Sequence, residues 1–134
     1  MTDPLLELQG AVVARLKADA GVVAFVGGRV FDDVPLGADR PYIAIGPSEA
    51  AEDSAECIGA YEFALQIDCW SEAPGFVEVR RLGAAVRKAM IGDFALTENA
   101  LVSLDHRITR VFRDRGGTMS QAAITFSGVI ESAD

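Results

Sequence analysis

The sequence predicts an α+β fold: an antiparallel-rich sheet of about five strands with two helices packed on one face, in the order α-β-β-β-α-β-β. Three observations carry this expectation. Segments 4–20 and 74–91 each place apolar residues at three-and-four spacing on a single stripe, the pattern of a helix that buries one side. Tyr61–Cys69 alternates, with Tyr61, Phe63, Leu65, Ile67 and Cys69 on one face and Glu62, Ala64, Gln66 and Asp68 on the other. The remaining apolar runs are short and punctuated by Gly, Pro and Asp. Helices with one stripe beside strands with one apolar face place the helices together on that face. The 134 residues, half of them hydrophobic, suit one domain over 1–134 that needs neither metal nor disulfide support.

The first helix is expected from Pro4 to Ala20, capped by Asp3, with Pro4 where a missing N–H costs nothing and Gly21 as its stop. Its stripe is Leu5, Leu8, Val12 and Leu16, and Val22–Val26 offers one more helical turn before Gly27-Gly28. Strands come next at Arg29–Val34, Pro41–Ile45 and Tyr61–Cys69, with a long acidic loop, Ser48–Gly59, between the second and third. A second helix from Pro74 to Ile91 buries Val79, Leu82, Val86 and Met90. Strand Leu101–Phe112 then points Val102, Leu104, Ile108 and Phe112 inward. After a turn at Arg113–Gly117, strand Ser120–Ile130 buries Ala122, Ile124, Phe126 and Ile130.

The charge excludes several function classes. With 12 bases against 20 acids the net is −8, the opposite of the basic surface by which general nucleic-acid binders release phosphate counterions. No apolar stretch approaches the roughly 20 residues that span a bilayer, and Met1–Pro4 lacks the basic start of a signal peptide. Synthesis in the cytosol, without membrane contact, is the expectation. Cys57 and Cys69 are then small buried apolar residues. The charge is also uneven: residues 1–78 hold 14 acids and 4 bases, residues 79–134 hold 6 acids and 8 bases. Halves of −10 and +2 can supply two complementary faces.

No catalytic constellation emerges, and no cofactor or metal is expected. A single histidine, His106, excludes sites built from several imidazoles, and its place between Leu104 and Ile108 reads as a satisfied core or interface residue. Gly27-Gly28 and Gly116-Gly117 lack phosphate-loop spacing and read as turns. Asp32-Asp33, adjacent on a strand, face opposite sides of it. The candidates that remain are for association. Arg80, Arg81, Arg87 and Lys88 on the second helix, Arg107, Arg110, Arg113 and Arg115 late in the chain, and Trp70 are candidate subunit-interface residues. Glu49, Glu52, Asp53 and Glu56 in the acidic loop are candidates for contact with another assembly component.

The order of weak motifs resembles one family along nearly the whole chain. Asp19-Ala20-Gly21-Val22, then Val26–Pro35 (VGGRVFDDVP), Arg40–Ile43, Asp68-Cys69-Trp70-Ser71 before a helix, and Arg113–Thr118 (RDRGGT) before a closing strand are similar to the landmarks of the tail-completion or tail-terminator family of long-tailed phages, prophages and gene transfer particles. That resemblance implies a structural virion protein, not an enzyme. It implies a homo-oligomeric, hexameric ring at the head-proximal end of the tail, assembled in the bacterial cytoplasm. The ring would cap the tail-tube protein, stop its polymerisation and meet a neck or stopper protein, with DNA passing the lumen unbound. A head–tail connector, stopper or adaptor, is the neighbouring alternative. A small ligand-binding or enzymatic domain is a third, for which only His106 and Arg110 offer inward polar groups.

Overall fold

The computed structural model describes residues 3–52 and 59–133. Within them the chain runs α1 (Pro4–Ala18), α2 (Ala20–Val26), β1 (Val30–Phe31), β2 (Tyr42–Glu52), β3 (Ala60–Ser71), α3 (Val77–Ala89), β4 (Ala100–Arg113) and β5 (Ser120–Glu131). The strands form one mixed sheet in the order β1-β2-β3-β5-β4, with β1 parallel to β2 and every other pairing antiparallel. The helices share one face of the sheet, as the single stripes require, and the core lies between the two layers. Leu8, Val12 and Leu16 of α1, Val79, Leu82 and Val86 of α3, and Ile67, Ile124 and Phe126 of the sheet are almost wholly buried.

Local chemistry sets the helix ends. Asp3 accepts from the Leu5 and Leu6 amides at 2.9 and 3.0 Å, the cap its position predicts. The first helix, expected to reach Ala20, stops at Ala18. Asp19 adopts an extended backbone and its carboxylate accepts from the Val22 amide at 3.0 Å, so it ends α1 and caps α2. Gly21 thus lies inside a second helix, and the stop is Gly27 at φ 59°. The helix expected from Pro74 starts three residues late, because the Ser71 hydroxyl donates to Glu78 at 2.7 Å and accepts from the Ala73 amide, holding Ala73–Phe76 as a bend.

The strands differ from expectation in three places. The run Arg29–Val34 narrows to Val30–Phe31, and Asp32-Asp33 fall in the bend after it, not on a strand. The second strand continues past Gly46-Pro47 through a bulge to Glu52, where Ser48–Glu52 pair with Leu65–Tyr61 of β3. The expected loop Ser48–Gly59 is therefore strand over its first five residues; Asp53, Glu56 and Cys57 lie outside the described residues. In β4, register shifts leave Val102 and Arg107 as extra residues opposite β5. Each bulge reverses the alternation. Leu101, Leu104 and Val111 consequently pack on the core, while Val102, Ile108 and Phe112, expected inside, are exposed.

The first bulge explains a glycine. A Cβ on Gly128 would collide with the Ser103 carbonyl that the bulge pushes against it. We expect Gly128→Ala to cost roughly 2–3 kcal/mol through forced backbone displacement, measured by urea unfolding.

A second constraint ties α1 to the connection that precedes β4. Glu7 accepts from the Thr97, Glu98 and Asn99 amides at 2.8–3.0 Å, and from the Thr97 hydroxyl and Asn99 amide side chain. The backbone bond from Glu98 leads in lowering its pKa from 4.5 to about 2, against a smaller opposing effect of desolvation. Arg15 stacks 3.5 Å from the centroid of Phe94 and donates to the Ile91 and Asp93 carbonyls. A depressed folded-state pKa contributes stability above pH 4.5 that fades as pH falls toward 2. Thermal melts should place Glu7→Gln below the parent at pH 7, with the gap closing between pH 4.5 and 2; a gap independent of pH contradicts this account.

Candidate functional site

The strand order converts the uneven charge of the sequence into two unlike edges. Asp32, Asp33 and Asp39 lie in the β1–β2 connection and Glu49 and Glu52 on β2, all exposed, at one edge of the sheet. Arg107, Arg110 and Arg113 are exposed on β4 at the other edge. Arg80, Arg81, Arg87 and Lys88 are exposed on α3, which packs against β3, β4 and β5. Among the described residues the one ion pair joins Arg40 and Glu72 at 3.7 Å, so the acids and bases of the two edges are not paired with each other.

Of the candidate residues, the helix-free face of the sheet carries Trp70, Arg107, Arg110 and Glu49. Register aligns Tyr42, Trp70, Gln121 and Phe112 across four strands at one end. The next row runs Ala44, Asp68, Ala123 and Arg110. Asp68, only 8% exposed, accepts from the side-chain amides of Gln66 and Gln121 at 2.8 and 3.0 Å, which satisfies the one carboxylate in this part of the face. Gly46 keeps the approach open, since a Cβ there would sit 2.7 Å from an Asp68 carboxylate oxygen. Toward β4 lies a groove of about 480 Å³, lined by Gln66, Arg107, Ile108, Arg110, Phe112 and Ala123 among others. Arg110 reaches over Phe112, 6.0 Å from the ring centroid. At the opposite end of the same face, Glu49, Glu62 and Asp105 border a second depression of about 410 Å³, with Arg107 lining both.

The remaining basic candidates are elsewhere. Arg80 and Arg87 line a groove of about 460 Å³ between α3 and β4, with His106 and Thr109 on its floor. Arg113 stacks on Phe76 at 4.7 Å, and Arg80 approaches the same ring at 6.0 Å. Lys88 borders a shallow depression with Arg15 and Asp19, and Arg115 lies in the β4–β5 turn. Trp70 is half-buried on the helix-free face, in the same row as Phe112 and away from the α3 groove. The predicted interface residues thus occupy both faces of the sheet, with Arg107, Arg110 and Arg113 on β4 and Trp70 and Lys88 farther from that edge.

Of the two places expected for His106, core or interface, the structure excludes the core. His106 is exposed, packs edge-on against Phe126 with centroids 5.9 Å apart, and shares a 2.7 Å hydrogen bond with the Thr109 hydroxyl. The bulge at Arg107 sends Ile108 and Arg110 to the opposite face, so His106 and Arg110 do not converge on a shared pocket. Burial pushes the Cys69 thiol up, away from nucleophilic use. Among the described residues no cluster of three or more His, Cys, Asp or Glu can hold a metal ion, and no helix is long and apolar enough to cross a membrane.

One feature is not evident from sequence patterning. The β1–β2 connection projects a hydrogen-bonded turn in which the Ala38 amide donates to the Pro35 carbonyl at 3.2 Å and Gly37 has φ 76°. Leu36 stands at its tip, fully exposed. Its only sequence signal is an isolated leucine between Pro35 and Gly37, flanked by Asp32, Asp33 and Asp39.

Comparison with known proteins bears on this arrangement. The family described as tail completion protein gp17 matches residues 10–131. No curated protein sequence matches. A solved chain in the virion of a native gene transfer agent particle superposes with a TM-score of 0.86 and 31% identity, covering 93% of this chain and 95% of that one.

Proposed function

The chain belongs to the tail completion protein family, and from that membership we propose that it works as a tail terminator: a ring of identical subunits that caps the tail tube, stops its growth and joins the tail to the neck. A structural tail-completion role follows from the family and from the likeness to a virion chain. The ring goes a step further, and one observation supports it above the rest. Acids gather at the β1–β2 edge and bases at the β4 edge and on α3, with no ion pair between them among the described residues. A head-to-tail contact that repeats around a closed ring joins two different patches of one subunit, and opposite signs favour that pairing over like-to-like contact.

In this reading Arg80, Arg87, Arg107, Arg110 and Arg113 meet acids of the next subunit, and a six-membered ring places the subunits at the head-proximal end of the virion tail. Glu49 and Glu52, on the outer part of β2, face the tail-tube or neck protein, and an acidic lumen lets DNA pass without adhering. Because Ser48–Glu52 are part of the sheet, deleting that segment would remove the outer half of β2; substitution is the appropriate probe.

Native mass measurement with negative-stain imaging of the purified protein tests the ring. We expect closed oligomers with a central hole that dissociate as salt is raised, since exposed charges are screened beyond about 8–10 Å at physiological ionic strength. Reversal of both Arg110 and Arg113 to Glu should weaken assembly by at least about tenfold, about 1.4 kcal/mol, while destabilising the monomer by no more than about 0.5–1 kcal/mol through loss of the Arg113 stack on Phe76. Rings of the reversed variant that persist unchanged at elevated salt contradict the electrostatic contact. Full particle assembly by a Glu49→Gln, Glu52→Gln variant contradicts the role given to β2.

A further inference from the structure

We propose that the turn carrying Leu36 docks into the groove between Arg107 and Phe112 on the helix-free sheet face of a second copy of this chain. The inference rests on the ring reading and names the contact that would build it.

Three observations support it. The first is the turn itself. Leu36 is wholly exposed with Val34 beside it, and the bond from the Ala38 amide to Pro35, with Gly37 in a left-handed conformation, holds the tip in one shape. A preshaped apolar tip loses little conformational freedom on docking. The second is the groove. Ile108 and Phe112 are 47% and 39% exposed on one face, and they are outward only because the Arg107 bulge reverses their direction. Apolar residues close together on a sheet face and rimmed by charge mark an interaction surface more strongly than scattered ones.

The third is charge. Asp32, Asp33 and Asp39 flank the apolar tip, while Arg107 and Arg110 flank the apolar floor. Among the described residues none of these five makes an ion pair within the subunit. Asp68, which accepts from Gln66 and Gln121, does not line the groove, whose charged lining residues are Arg107 and Arg110. An acidic rim around an apolar tip therefore meets a basic rim around an apolar floor. Tip and groove also lie toward opposite edges of one sheet, so a subunit cannot satisfy its own pair, and the contact passes from copy to copy.

Cysteine trapping in the full-length chain tests the contact. Leu36→Cys and Ile108→Cys are made separately in a Cys57→Ser background; Cys69 is buried and remains. We expect covalent dimers on mild oxidation of the two variants mixed, at least tenfold above either variant alone, and a ladder ending at the ring number when both cysteines are in one chain. A charge swap serves as the second arm: Asp33→Arg or Arg110→Asp alone should weaken assembly about tenfold, and the two together should restore it. Multimeric parent protein with no cross-link in the mixture, and no rescue by the swap, overturns the docking contact and leaves the ring. Cross-links of Leu36→Cys with itself overturn it in favour of a symmetric contact. A parent protein that stays monomeric at all concentrations and yields no cross-link overturns both.

Discussion

Strand β5 is the constraint on which the structure depends. It is laddered along its length on both sides, to β3 through Ser71↔Ser120 to Ala60↔Glu131 and to β4 through Arg113↔Ser120 to Ala100↔Glu131. A central antiparallel strand fixed on both sides leaves its neighbours one register, because a slip of one residue would turn Ala122, Ile124 and Phe126 out of the core. The last strand of the sheet in chain order thereby separates β3 from β4. Its insertion places β4, with its arginines, at an edge, and leaves the acidic β1–β2 region at the other. The strand order thus turns a charge division along the sequence into a division in space.

The two bulges of β4 act on both stability and surface. A long edge strand offers unpaired backbone to any passing strand, and bulges and charged side chains are among the means of preventing that. Here Val102 and Arg107 interrupt the ladder of the edge strand, and Arg107, Arg110 and Arg113 charge it. The same interruptions decide which side chains meet the helices. Gly128 is the consequence on the partner strand, where no Cβ fits beneath Ser103. The exposed Ile108 and Phe112 are the result on the outer face.

The legible parts of the fold are those governed by local or strictly periodic rules. The Asp3 cap, the stripes of α1 and α3, the alternation of Tyr61–Cys69 and the buried set Ala122, Ile124, Phe126 and Ile130 all depend on residues within a few positions of one another. The parts that were not legible depend on pairing across the sheet. Leu101–Phe112 has no marker of a bulge, since Val102 and Arg107 are ordinary strand residues and only their opposition to β5 makes them extra. Gly46-Pro47 reads as a terminator because a proline ends most strands, yet a bulge accommodates it and Ser48–Glu52 continue the ladder with β3. Asp19 is ambiguous for a different reason: an aspartate can cap the helix after it as readily as end the helix before it, and the hydrogen bond from Val22 decides. Of the candidate surface, the residue types were legible and their grouping was not, because grouping depends on face and the bulges set the face.

Family membership and geometry constrain different parts of the function. Membership places the chain among virion structural proteins but says nothing about which side chains make contacts. The geometry narrows those contacts by a simple argument. A sheet with helices on one face and none on the other has one large surface left, and here that surface is neither uniformly polar nor uniformly apolar. It holds an aromatic row of Tyr42, Trp70 and Phe112, a basic groove beside β4, and acids at the far end. A surface patterned in that way discriminates orientation as well as partner, since rotating a docked acidic segment by half a turn would set it against Glu49, Glu62 and Asp105. In the proposed ring, repulsion at the wrong end of the face therefore adds to attraction at the right end in favouring one head-to-tail orientation.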